Sequence, residues 1–258
     1  MAISRILSYD ETDSTNRIAK ELIAEGCPSG TVVRAEKQSG GRGQYGRVFS
    51  SPSGGLYFSL VLRPDLTLEF LPLVTLATGL ACREVIAAET GLATMIKWPN
   101  DLYLADRKVA GILCESVPEL HSSSLPPSAW VIIGVGLNVN SGLDDFSPAL
   151  HPIITTLSVC SGKTYDLDSF LVQLVEAISE KVGLLQVDRS RVLAQWQEHD
   201  YLLDRKVMYT AGSVSLAGTG HGIGPEGGYR LRDALGIVHS IKSGQLKPHD
   251  QTVDTPTP

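Results

Sequence analysis

The sequence predicts an α/β fold of the α+β kind, followed by a small all-β module. Three observations carry this. Apolar and β-branched runs of strand length alternate with helical patterns until about residue 200. Near Leu203 the composition changes to short strand-like runs split by glycines. The 258 residues, 43% hydrophobic and 19% charged, allow one large core plus a small one and argue against disorder.

Residues 3–9 read as a short strand. Asp13-Ser14-Thr15-Asn16 then offers several side-chain oxygens that can cap a helix, and Ile18, Leu22 and Ile23 follow at helical spacing before Gly26. Residues 31–36 are β-branched and read as a strand. A glycine-rich loop follows, then a strand over 56–63 closed by Pro64. Residues 70–90 form a long, mostly apolar helix ending at Gly91. A strand over 94–98 halts at Pro99-Asn100, and 101–104 with 108–115 read as a hairpin around Ala105-Asp106-Arg107. Residues 121–127 read as an exposed loop, 130–140 as a strand with two glycines, and 141–152 as a mobile loop. Helices are expected over 168–185 and 189–199.

Beyond Leu203, the runs 206–209, 214–218, 228–232 and 236–241 suggest a small barrel of the SH3 type. Gly218-Thr219-Gly220-His221-Gly222-Ile223-Gly224 reads as hairpin turns, with His221 a loop histidine. The polar, proline-bearing stretch from Pro248 reads as a frayed tail. The expected division is a main domain over 1–203, a β module over 204–250 and a tail over 251–258.

The totals argue against several classes, though a local basic patch stays compatible with them. The net charge of −6 is the wrong sign for a general nucleic-acid binder. Cys27, Cys82, Cys114 and Cys160 form no C-x-x-C and have no histidines at ligand spacing, so they read as plain thiols of a reducing compartment. The first residues lack the apolar stretch of a signal peptide, and no run is long enough to span a bilayer, so a cytoplasmic location is expected. No G-x-x-x-x-G-K-[ST], G-x-S-x-G or Ser/His/Asp arrangement occurs.

Two segments carry the chemistry. Gly41-Arg42-Gly43-Gln44-Tyr45-Gly46 has G-x-G-x-x-G spacing but runs into Val48-Phe49-Ser50-Ser51-Pro52, a poor helix start, which argues against a dinucleotide fold. It reads instead as a loop whose N–H groups and arginines face an anion, the alternative being a plain connection with surface arginines. Lys97-Trp98-Pro99-Asn100-Asp101 places a cation and an aromatic ring before a turn. Alternation puts Met95 and Lys97 on one face and Ile96 and Trp98 on the other, so Lys97 emerges to solvent or into a cavity. Lys108 opens a strand containing Gly111 and Gly134-Val135-Gly136-Leu137-Asn138 interrupts another. Such glycines mark either a ligand's close approach or tight packing.

These segments, with Gln38-Ser39-Gly40, Gly46-Arg47, Ser51-Pro52 and Lys108-Val109-Ala110-Gly111-Ile112-Leu113, resemble biotin protein ligase (biotin–acetyl-CoA-carboxylase ligase) in order over most of residues 5–245. The form resembled lacks the N-terminal DNA-binding domain, for which there is no room before Ser14. The resemblance implies a mixed β-sheet backed by helices and an SH3-like C-terminal β-barrel. It implies activation of biotin by ATP to biotinyl-5′-AMP, then transfer to a lysine of a biotin carboxyl carrier protein, an acetyl-CoA carboxylase subunit. ATP and Mg²⁺ are co-substrates, no prosthetic group is held, a homodimer is compatible, and neither DNA nor membrane is a partner.

The resemblance assigns Lys108, Arg42 and Lys97 to catalysis. It assigns Ser14, Thr15, Asn16, Gln38, Arg42, Gly43, Gln44, Lys108, Gly111, Gly134 and Gly136 to biotin. Arg42, Arg47, Phe49, Lys97, Asn100, Lys108 and Asn138 face ATP. It leaves the metal ligands unnamed. Members often carry arginine where this chain has Gln44, so looser retention of the adenylate is expected, and tryptophan where it has Phe49, which keeps the apolar lid but loses an indole N–H. A lipoate–protein ligase or octanoyltransferase of the same fold, or a non-enzymatic biotin-binding regulator, are the competing readings.

Overall fold

The computed structural model describes residues 3–118 and 129–249; the expected loop over 121–127 and tail over 251–258 lie outside them. β1 (Arg5–Thr12), β2 (Thr31–Gln38), β3 (Leu56–Leu62), β4 (Met95–Lys97), β5 (Asp101–Leu104), β6 (Arg107–Pro118) and β7 (Ala129–Leu137) form a seven-stranded sheet in the order β1-β2-β3-β7-β6-β5-β4. β1 and β2 run parallel and every other pair is antiparallel, so the sheet is mixed. A parallel pair needs a crossover, which α1 (Thr15–Ala24) supplies.

Helices cover both faces. α1 lies on one, over a small cluster of Ala19, Val33, Val61 and Ile132. α2 (Pro72–Thr90), α4 (Leu167–Val187) and α5 (Arg189–Gln197) pack on the other, over the main core. β3 is therefore buried along its whole length, and its LYFSLVL sequence shows the near-continuous apolar run of a strand covered twice. α2 begins with Pro72 and ends at Gly91 in the left-handed conformation (φ 71), a stop that glycine makes without strain. No described helix is long and apolar enough to cross a membrane.

The stretch expected as a mobile loop over 141–152 is instead tied down. Ser141 Oγ donates to Ser53 O at 2.9 Å, His151 Nε2 lies 3.1 Å from Phe146 O, and Phe146 is buried. The short α3 (Leu157–Ser161) follows, capped by Thr156 Oγ1.

The C-terminal strands β8 (Lys206–Ala211), β9 (Val214–Ile223), β10 (Tyr229–Arg232), β11 (Val238–Ile241) and β12 (Gln245–Pro248) form a separate antiparallel sheet in the order β11-β10-β9-β8-β12, the SH3-like module. Two expectations are corrected here. The glycine run 218–223 belongs to β9, not to turns: a Cβ on Gly220 would lie 1.9 Å from Leu202 O, so glycine serves close backbone approach. His221 sits in that strand within hydrogen-bond distance of Arg232. Pro248 closes β12, which pairs with β8, and does not begin a tail.

The two sheets meet at a buried seam. Trp98 Nε1 donates to Gly227 O at 3.0 Å, and its ring lies 5.9 Å from that of Tyr229. Tyr229 OH donates to Asp200 Oδ2 at 2.8 Å, and Leu202 N donates to Asp200 Oδ1. Burial, helped by Asp204, pushes the Asp200 carboxyl up to about 6 against these two donors.

Candidate active site

The face of the large sheet that carries α1 becomes a cavity beyond the helix N-terminus. Alternation decides which residues reach it: Ile132 packs under α1, so Gly134 and Gly136 of β7 lie on the same face, as do Gly111 and Leu113 of β6. Gly111 and Gly136 are cross-strand partners, and without side chains they sink the floor. The cavity measures about 870 Å³, and every site residue expected from the sequence lines it.

The lysines come from the strands. Ile96 points into the core while Lys97 is 9% exposed and faces the cavity, which settles the alternation in the cavity's favour. Lys97 and Asp101 are register partners across β4 and β5, with Nζ 4.0 Å from Oδ2. Lys108 Nζ reaches Asp101 Oδ1 at 2.6 Å. Burial above all pulls the Lys97 ammonium below the ordinary lysine value; Asp101 opposes this, and Lys108, Lys247 and Arg47 add to it. Asp101 thus holds two cations in one site. Sequence reading did not assign it a role, although the hairpin places it opposite Lys97 and diagonal to Lys108.

The third cation comes from the glycine-rich loop, a flap folded back on itself. Arg42 and Val48 form an antiparallel bridge, and Gly43 N donates to Arg47 O at 2.8 Å. At the root, a Cβ on Gly41 would lie 2.4 Å from Phe49 O, so only glycine permits the crossing. Arg42 and Arg47 are exposed. Phe49 turns inward and lays its ring on the floor: a Cβ on Gly136 would come within 2.4 Å of it, and Lys108 Nζ stands 5.5 Å from its centroid.

The polar frame at the α1 end is internally satisfied. Gln38 Oε1 accepts from Thr15 N at 2.9 Å, in place of a cap by Ser14, whose own side chain makes no cap bond. Gln38 Nε2 donates to Ser51 Oγ, fastening the flap root. Ser59 Oγ donates to Asn16 Oδ1 at 2.6 Å, and Asn16 Nδ2 donates to Glu115 Oε2 and to Leu113 O. A Cβ on Gly134 would fall 2.2 Å from Asn16 Oδ1, so that glycine makes room for the amide. Asn100 Nδ2 donates to Ile112 O, and Asn138 Nδ2 to Thr155 O, while Asn138 Oδ1 is buried without a partner.

The far wall is built from residues the sequence did not single out. Tyr103 and Tyr201 stack at 4.6 Å, Tyr201 OH donates to Asp106 Oδ1, and Arg205 lies 4.1 Å over the Tyr201 ring. Gln245, Leu246 and Lys247 of β12 complete it. Among the described residues no group of three His, Cys, Asp or Glu is placed to hold a metal ion.

Comparison with known proteins places this arrangement. The profile of the Biotin/lipoate A/B protein ligase family matches residues 9–138, half of the chain. The bifunctional ligase/repressor BirA of Bacillus spizizenii is 41% identical over 162 residues, 62% of this chain and 48% of that protein. This chain thus spans about half the length of that relative. The biotin–[acetyl-CoA-carboxylase] ligase of Paracoccus denitrificans is 31% identical over 231 residues, 87% of this chain and 93% of that one. The structure of biotin protein ligase from Aquifex aeolicus in complex with biotin and ATP superposes with a TM-score of 0.80 at 29% identity, covering 95% of this chain and all of the other. A profile match across half the chain, with a relative covered almost end to end, shows that this protein belongs to the biotin/lipoate A/B protein ligase family.

Proposed function

We propose that this protein is an ATP-dependent ligase that activates biotin to biotinyl-5′-AMP and transfers it to a lysine of a biotin carboxyl carrier domain. One observation carries the reading: Arg42 from the flap and Lys97 and Lys108 from the strands converge on one cavity with a glycine floor. The substrates follow the names of the relatives, one a biotin–[acetyl-CoA-carboxylase] ligase and one a structure holding biotin and ATP. The proposed units are residues 1–203 for catalysis and 204–250 for the C-terminal module.

Activation brings a carboxylate against a polyphosphate, and both are anions. A carboxylate oxygen attacks the α-phosphorus, an O–P bond forms, and pyrophosphate leaves. Lys108 bridges the carboxylate and the phosphate, Lys97 sits toward the nucleotide, and Arg42 closes from above. Asp101 keeps the two lysines in register. Mg²⁺ enters this reading with the nucleotide as part of the substrate. Asn16, Thr15, Ser14, Gln38 and Gly134 frame the biotin end; Phe49, Arg47, Asn100 and Asn138 border the nucleotide. The folded flap then shields the mixed anhydride from water. In the second step a deprotonated lysine amine of the carrier attacks the acyl carbon, a C–N bond forms, and AMP departs.

Mass spectrometry of a carrier domain incubated with enzyme, ATP and biotin tests this. A biotinyl adduct dependent on both small molecules is the expected result. An adduct only with lipoate or octanoate would make the protein a ligase or transferase for those acids. Biotin binding without any adduct or pyrophosphate would make it a non-catalytic binder.

A further inference from the structure

We infer that Tyr45 is a positioning residue that latches the flap to the C-terminal module and thereby sets how long the activated acyl group is held. The inference rests on the ligase reading above. Tyr45 stands at the flap tip in the left-handed region (φ 59), which a side-chain-bearing residue adopts only when its surroundings hold it there. Its hydroxyl accepts a hydrogen bond from Gly244 N at 2.9 Å.

Gly244 is a firm anchor. A Cβ there would lie 2.5 Å from the Tyr209 ring, so the turn rests directly on that side chain. Tyr209 OH in turn donates to Ser243 O at 3.1 Å. The strand that leaves this turn is β12, whose Lys247 lines the cavity. The latch therefore joins the flap to the wall opposite its root.

The same side chain carries the flap's second cation. The Arg47 guanidinium lies 5.9 Å from the centre of the Tyr45 ring. Position 44, next along the flap, is a neutral glutamine. The Tyr45–Gly244 bond is a neutral link between the flap tip and the module. A flap that opens must break this bond, and one neutral hydrogen bond corresponds to roughly a two- to ten-fold change in the open population.

Tyr45→Phe in the full chain keeps the ring and removes the acceptor. Two readouts decide. The first is hydrogen exchange at the Gly244 amide without ligand, where faster exchange in the variant is expected. The second adds hydroxylamine together with a carrier domain during turnover with biotin and ATP, so that adenylate kept on the enzyme passes to the carrier lysine while escaped adenylate becomes biotinyl hydroxamate and AMP. The ratio of hydroxamate to pyrophosphate should rise about two- to ten-fold. A general loss of folding lowers both products and leaves this ratio alone. Equal Gly244 exchange in the two proteins overturns the latch. Faster exchange with an equal ratio overturns the role in retention. A wild-type protein that makes no biotin-dependent pyrophosphate defeats the ligase reading and the retention role with it, while the Gly244 amide still decides whether the latch exists.

Discussion

The flap and the strands opposite it supply the same kind of charge in different ways. Lys97 and Lys108 are half-buried or buried, and Asp101 ties them to one point. Arg42 and Arg47 are exposed on a loop held by bridges at its root and one bond at its tip. The strand cations are placed before any ligand arrives, at a desolvation cost visible in the lowered Lys97 ammonium. The flap cations stay exposed to water. In the proposed reaction, precise placement of the reacting atoms would fall to the strands and exclusion of water to the flap.

The sharpest way to break this contrast is Lys108→Ala. Biotin-dependent pyrophosphate release should fall on the order of 10³-fold, with the thermal midpoint nearly unchanged because Asp101 keeps Lys97 as a partner at 4.0 Å. Lys97→Ala should be milder. Normal turnover in the Lys108 variant would remove that lysine from the chemistry.

Next in size is the acid response of the rigid half. The folded Asp200 carboxyl stands near 6 against an ordinary value of 3.8, so in this range the folded state binds more protons than the unfolded. Its contribution to stability is full below about pH 4 and is lost as pH rises through 6. The loss is on the order of 2–3 kcal/mol. Asp200→Asn should flatten the stability profile between pH 4 and 7 in denaturant melts, leaving the variant relatively more stable at neutral pH. A profile that keeps its slope would contradict this reading of the seam.

Two glycines then separate the halves directly. Gly134→Ala forces a methyl into the Asn16 amide, which is bonded on three sides, and should cost about 1–3 kcal/mol in stability. Gly136→Ala pushes first against the Phe49 ring, the far end of a side chain on the flap. It should leave the melting point nearly unchanged and weaken biotin-dependent exchange, because the displaced ring no longer covers the floor. Equal losses of stability would mean the flap is as rigid as the sheet. The smallest expected effect is Gln44→Arg, which should slow adenylate escape a few-fold; matching release rates would show that position 44 does not govern retention.

Local patterns made most of the large sheet legible. The Lys97 alternation, the hairpin over 101–115 and the long apolar helix before Gly91 each depend on neighbours in the chain. What escaped depends on distant partners. β12 is four residues ending in proline, and only its pairing with β8 makes it a strand. The glycines of β9 look like turn formers until Leu202 and Tyr229 are seen against them. The cavity's polar residues were recognisable as motifs, yet Asn16, Gln38 and Asn100 spend their hydrogen bonds on the frame. Tyr103, Tyr201, Arg205 and Lys247 carry no motif, and only the folded chain gathers them on one wall.

Of the three tryptophans, Trp196 lies fully inside the core and Trp130 lies partly open beneath Arg63. Trp98 alone has its indole N–H bonded to the C-terminal module. Prising the module away would wet that ring and strip it of its carbonyl partner. Its fluorescence is therefore a built-in gauge of undocking, set beside the buried Lys97 of the cavity.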